Sequence, residues 1–117
     1  MASNTQGSEI RGCNAIVNQN DKKYVRIMLT APGLKTKRSL SLKKEPINCK
    51  VLEMEYKKHS VRIKFVINQG LMNETVFLYE TDEDNHFNGP IQEKKSYLQF
   101  ADNGIDIYAR KEYDWSM

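Results

Sequence analysis

The chain has 117 residues, of which 39% are hydrophobic and 28% charged, with eighteen Lys/Arg against fifteen Asp/Glu for a net charge of +3. That length holds one sandwich-sized core and predicts a single domain. Charge of both signs argues against full disorder, and so mild an excess does not by itself call for nucleic acid.

Two cysteines, Cys13 and Cys49, are too few for a disulfide scaffold, and no apolar run approaches the ~20 residues of a membrane span. The opening Met1-Ala2-Ser3-Asn4-Thr5-Gln6-Gly7-Ser8 lacks the apolar stretch of a signal peptide. A reduced, cytoplasmic protein is the expectation. The charge is unevenly placed: residues 1–64 carry fourteen basic and five acidic side chains, residues 65–117 four and ten. Local patches of each sign steer partners more than they set a fold.

Residues 1–12 are small and polar without periodicity, which predicts a flexible tail ahead of a domain over 13–117. Asn18-Gln19-Asn20-Asp21 reads as a turn. From Tyr24 to Thr30, Val25, Ile27 and Leu29 alternate with Tyr24, Arg26, Met28 and Thr30, the pattern of a half-buried strand. Ala31-Pro32-Gly33 closes it, and Lys35-Thr36-Lys37-Arg38 reads as a basic loop. Leu40 and Leu42 suggest a short strand ended by Glu45-Pro46, since proline cannot donate to a ladder.

Cys49 to Tyr56, a turn at Lys57-Lys58-His59, and the alternating Val61, Ile63 and Phe65 read as a hairpin. Val76-Phe77-Leu78-Tyr79 predicts another strand, and Thr81-Asp82-Glu83-Asp84-Asn85 an acidic loop. Ile91 is a buried anchor after the turn at Asn88-Gly89-Pro90. Ser96 to Ala101 forms a strand, with Asn103-Gly104 suited to a type I′ turn. Ile105, Ile107 and Ala109 then point inward, and Asp106, Tyr108 and Arg110 outward. About seven strands and no helix-period segment predict an all-β antiparallel sandwich.

Catalytic and metal-binding patterns find no support. His59 and His86 have no Cys or His at ligand spacing, and a zinc site needs about four ligands. Counted from Asp84, Gly89 falls where a calcium-binding loop has its glycine, but the twelfth place is Lys95 rather than a bidentate Glu. The six glycines are scattered, so no phosphate loop exists. No cofactor, no metal and no enzymatic activity is the expectation. Cys49 reads as a small core residue and Cys13 as exposed and inert.

Two groups suit a protein partner. Lys35, Lys37 and Arg38, followed by Lys43 and Lys44, form a basic cluster that is either a solvated loop or a contact for an acidic partner. It lacks the interleaved aromatics that stack on bases, so nucleic acid is the weaker reading. Tyr24 and Arg26 share the outward face of one strand, and Tyr108 and Arg110 that of another, with Lys111 next in line. Tyr and Arg anchor interfaces through large rigid area and a planar donor fork; alternatively, these side chains merely pair across strands. Trp115 is expected to cover one open end of the sandwich, with its N–H at the wet edge.

Several of these segments, taken in order, resemble the CS domain, the β-sandwich found in co-chaperones of the ninety-kilodalton heat-shock chaperone. They are Tyr24-Val25-Arg26-Ile27 leading into Pro32-Gly33-Leu34, the hairpin through Lys57-Lys58, Gly89-Pro90-Ile91 followed by Ser96-Tyr97, and Ile105-Asp106-Ile107-Tyr108-Ala109-Arg110-Lys111 running to Trp115-Ser116. The resemblance covers roughly residues 14–116. Cys13-Asn14-Ala15 stands where many members carry an aromatic-rich opening, and Gly104 where many carry a basic residue. Small heat-shock proteins share a related sandwich. Ile105-Asp106-Ile107 has the spelling of their I-x-I motif but falls inside a strand, so neither that extension nor a long assembly segment is the expectation here.

The resemblance implies a protein-interaction module, a co-chaperone or adaptor for a heat-shock chaperone or its client. The alternatives are a regulatory or docking β-domain for an unrelated protein and, more weakly, a nucleic-acid binder using the basic patch. A monomer is expected, since no exposed heptad or long apolar strand edge is evident.

Overall fold

A computed structural model describes residues 10–38, 40, 43–81 and 87–115. Alternation over Tyr24–Thr30 and Gly104–Lys111 turns one row of each strand inward. Side chains alternate between the two faces of a sheet, so each row must find an apolar partner. The result is two facing four-stranded sheets. In chain order the strands are β1 Ile10–Gly12, β2 Ala15–Asn18, β3 Tyr24–Thr30, β4 Thr36–Arg38, β5 Lys44–Pro46, β6 Cys49–Tyr56, β7 Val61–Ile67, β8 Thr75–Glu80, β9 Ile91–Ala101 and β10 Gly104–Lys111.

One sheet has the order β9-β10-β3-β2 and the other β1-β8-β7-β6, while β4 and β5 form a separate two-stranded arm. Every pairing is antiparallel except that of β1 with β8. This is the expected all-β sandwich. Between the sheets, Val25, Ile27 and Leu29 of β3 and Ile105, Ile107 and Ala109 of β10 share one core with Val61, Ile63, Phe65 and Ile67 of β7. Phe65 stacks on Phe77 of β8 at 5.3 Å. Burying each such side chain contributes roughly 1.5–3 kcal/mol. Among the described residues no helix is long and apolar enough to cross a membrane.

Several local expectations are corrected. Ile10–Gly12, expected within the flexible tail, form β1 and pair in parallel with Val76, Phe77 and Leu78. Lys35–Arg38 is not simply a loop, since Thr36–Arg38 are β4 and pair with Lys44–Pro46. Pro46 occupies the last position of β5, where a missing donor costs the ladder least. Leu40, expected in a strand, lies in the turn between these strands and is fully exposed, while Leu42 lies outside the described residues. Asp82 to His86 also lie outside them. Cys13, expected to be exposed, is half-buried against the core, with its thiol directed at the Thr30 carbonyl at 3.0 Å.

The arm is fixed to the β9–β10 turn. Only Asn103 has positive φ there, at 62°, so the turn is not type I′ and Gly104 already belongs to the strand. The carboxylate of Asp102 accepts from both the backbone and hydroxyl of Thr36, at 2.9 and 2.8 Å. Asn103 accepts from Gly33 N–H through its side chain at 3.0 Å and from Ala31 N–H through its carbonyl at 2.9 Å. These bonds set where β4 and β5 leave the body.

Strand β9 is irregular between Gln92 and Tyr97. Gln92 lies opposite Arg110 and Tyr97 opposite Tyr108, so four residues face Ala109 alone. Lys95 takes φ 71° within this bulge. Ser96 bridges the gap: its hydroxyl accepts from Arg110 N–H at 2.8 Å and donates to Gln92 O at 2.6 Å. The bulge thereby resets the register so that Tyr97 meets Tyr108.

Candidate functional site

The outer faces of the two sheets differ in kind. On β6-β7-β8, Arg62 pairs with Glu53, Glu55 and Glu80, Lys57 with Glu80, and Lys64 with Glu53. These charges are met by one another. Arg62, Lys57 and Lys64 come from the basic first half of the sequence and Glu80 from the acidic second half, so folding interleaves the two.

The outer face of β9-β10-β3-β2 is aromatic. Cross-strand register puts Arg26 beside Tyr108, Tyr24 beside Arg110, and Tyr97 on the far side of Tyr108. The Tyr97 and Tyr108 rings stack at 4.8 Å, and Tyr24 meets them edge-on at 5.7 and 6.1 Å. The guanidinium of Arg26 lies 5.6 Å from the centre of the Tyr108 ring, and that of Arg110 lies 5.3 Å from Tyr24. Each cation–π contact contributes about 0.5–1 kcal/mol at an exposed site.

The two arginines are not equivalent. Arg26 is bound to Asp106 at 3.1 Å, a hydrogen bond that raises its already high pKa further. Arg110 reaches the Tyr24 hydroxyl at 3.5 Å, and among the described residues no carboxylate stands within ion-pair distance of it. Burial, with Tyr24 and Tyr108 close by, raises the Tyr97 hydroxyl pKa, so it remains a neutral hydrogen-bonding group. A depression of about 340 Å³ opens between Asn18, Asp21, Tyr24, Arg26, Tyr97 and Tyr108. Asp21 accepts from Lys23 N–H and Tyr24 N–H at 2.8 and 2.9 Å, which holds its carboxyl below the ordinary range.

Four residues singled out in the sequence, Tyr24, Arg26, Tyr108 and Arg110, thus share one face. Lys35, Lys37 and Arg38 stand apart at the arm and are exposed. Lys111 does not belong with either group. It is 5% exposed, and its ammonium donates to Gln19 O at 2.6 Å and to Asp21 O, with the Trp115 ring 4.5 Å away. It holds the β2–β3 turn and is a structural cation, which corrects its place among the contact candidates. Sequence reasoning missed Tyr97. Counting the register out from Ala101 opposite Gly104 places it against Tyr108.

No protein-family model matches the chain, and no curated protein matches it. Among solved structures it is similar to heat shock protein 16.0 from Schizosaccharomyces pombe, with a TM-score of 0.56 and 14% identity over 97% of this chain and 76% of that one. The fold is a small-heat-shock-like β-sandwich. At that identity the likeness concerns the fold, and function has to be argued from the face itself.

Proposed function

We propose that the chain is a protein-interaction module that binds through the outer face of β9-β10-β3-β2, as a CS-type co-chaperone or adaptor of the ninety-kilodalton heat-shock chaperone. The observation that supports this most is the three-tyrosine, two-arginine cluster. Its rings hold one another in place before any partner arrives. Pre-ordered aromatic and guanidinium groups lose little conformational entropy on binding, which is why such residues dominate interface energetics. The opposite outer face, laced with internal ion pairs, offers less to a partner, because docking there would first desolvate satisfied charges.

Binding, rather than catalysis, is what these side chains are suited to. Both thiols are pushed up to about 11 by burial, away from the range of a nucleophile.

A docking role for a partner other than that chaperone is the second reading. It is favoured by the opening segment: where many CS domains carry an aromatic-rich stretch, Cys13 turns inward onto Thr30 instead.

Titration of the purified chaperone, with and without ATP, into the labelled chain separates the two. Saturable binding that Tyr97→Ser or Arg110→Gln weakens supports the co-chaperone reading. No binding in any nucleotide state leaves the face to another protein partner.

A further inference from the structure

Tyr97 belongs to two depressions at once. On one side it lines the tyrosine pocket with Tyr24 and Tyr108. On the other, Tyr97 to Phe100 of β9 face Lys43, Lys44, Glu45 and Pro46 of the arm across a groove of about 730 Å³. The arm supplies half of the groove's lining, with Lys43 and Lys44 beside Glu45 and Pro46, and Arg110 flanks the pocket at Tyr24. One ridge residue therefore joins a groove that carries two lysines on its arm side to an aromatic pocket. On the bulge just before it, Lys94 and Lys95 are also exposed.

We infer that the partner presents an acidic segment with a central aromatic side chain, which crosses the β9 edge at Tyr97 from the Lys43–Lys44 groove to the tyrosine pocket and sets a carboxylate on Arg110. This rests on the proposed protein-binding role of the face and names the chemistry of what it binds. Charge complementarity carries it. Arg110 lies over the Tyr24 ring at 5.3 Å with no carboxylate within ion-pair distance among the described residues, so its remaining donors suit a planar acceptor from outside. Lys43 and Lys44 are exposed, and among the described residues neither forms an ion pair. Arg26, neutralised by Asp106, supplies ring contact rather than net charge.

The same features disfavour a nucleic acid. A polyphosphate carries charge at every unit and would have to lay phosphates beside Asp21 and Asp106, which line or adjoin the pocket. A peptide places a neutral ring there and its carboxylates elsewhere. The tyrosines are also already engaged with one another, at 4.8 to 6.1 Å, rather than splayed to receive successive bases.

The test uses the full chain and fluorescent synthetic peptides of equal length: a Glu-rich peptide with a central Trp, the same peptide with Ala at the centre, and the same peptide with Lys for every Glu. Anisotropy is read at low and high salt, and an oligothymidine of similar length is the nucleic-acid probe. The Glu/Trp peptide is expected to bind about tenfold or more tighter than either control, a gap of about 1.4 kcal/mol, and to weaken as salt screens the charges. Arg110→Gln and the pair Lys43→Gln, Lys44→Gln are each expected to weaken it severalfold while leaving the denaturation midpoint in place. Equal binding of the Glu and Lys peptides overturns the inference, as does full affinity in Arg110→Gln or tighter binding of the oligothymidine. Should the peptides fail while Tyr97→Ser still abolishes binding of an intact protein partner, the segment chemistry falls and the binding face stands. Should Tyr97→Ser leave that protein binding untouched, the face itself falls.

Discussion

The indole of Trp115 fills the space that a side chain on Gly89 would need: a Cβ there would lie 2.6 Å from Nε1 and 2.7 Å from Cδ1 and Cε2. That approach lets Nε1–H donate to the neighbouring Pro90 carbonyl at 3.1 Å, with Phe87 6.5 Å from the ring and Lys111 above it. Gly89→Ala is expected to displace the indole and cost about 1–3 kcal/mol in urea denaturation. Trp115→Ala is expected to destabilise as well, and in that background Gly89→Ala becomes nearly neutral. Additive costs in the double-mutant cycle would show that the two residues do not share this space.

Lys111→Met removes the two charged hydrogen bonds that tie β10 to the Gln19 and Asp21 carbonyls. Loss of bonds to a charged donor costs about 1.5–3 kcal/mol each at most, less here because those carbonyls can regain water. The expected outcome is a lower denaturation midpoint with partner affinity unchanged at a temperature where the variant remains folded. Lost affinity with unchanged stability would return Lys111 to the binding face.

Ser96→Ala is expected to leave the Arg110 N–H without its acceptor at the β9 bulge, at a cost of about 1–3 kcal/mol. Because the bulge sets Tyr97 opposite Tyr108, faster amide exchange should spread from Arg110 to Tyr97. Unchanged exchange at both positions would mean that the hydroxyl does not hold the register.

Alkaline stability follows from the buried thiols and phenol. Burial raises Cys13 and Cys49 from 9.0 to about 11, and burial followed by the nearby Glu93 raises Tyr56 from 10.0 to about 12. Each group loses its proton more readily in the unfolded chain. Their contribution is therefore complete below pH 9.0 and declines as pH rises toward about 11 and 12. Denaturation midpoints should fall across this window, and Cys49→Ala should flatten the decline. A midpoint constant from pH 8 to 11 would contradict the burial of these groups.

Much of the fold is legible in the sequence where a strand has one dry face. Tyr24–Thr30 and Gly104–Lys111 alternate because each shows one side to the core, and the same alternation exposes Tyr24, Arg26, Tyr108 and Arg110. Carried one step further, that alternation turns Lys111 inward with Ile105, Ile107 and Ala109, a signal outweighed by its charge. The arm left no such trace: Thr36–Arg38 and Lys44–Pro46 are solvated on most sides, so no hydrophobic period marks them. Strand β1 depends on parallel pairing with residues more than sixty positions away, and nothing local in Ile10–Gly12 announces it. The Ile91-to-Ser96 spacing was visible as a motif. Its physical reason, a hydroxyl spanning a bulge, needed the register.

The most direct test of the account is amide hydrogen exchange on the chain alone and in complex with the purified ninety-kilodalton chaperone. Protection on binding is expected along β3, β9 and β10, centred on Tyr24, Tyr97 and Tyr108, and absent from β6, β7 and β8. Protection confined to the Arg62–Glu53 face, or none on the tyrosine face in a saturated complex, would contradict it.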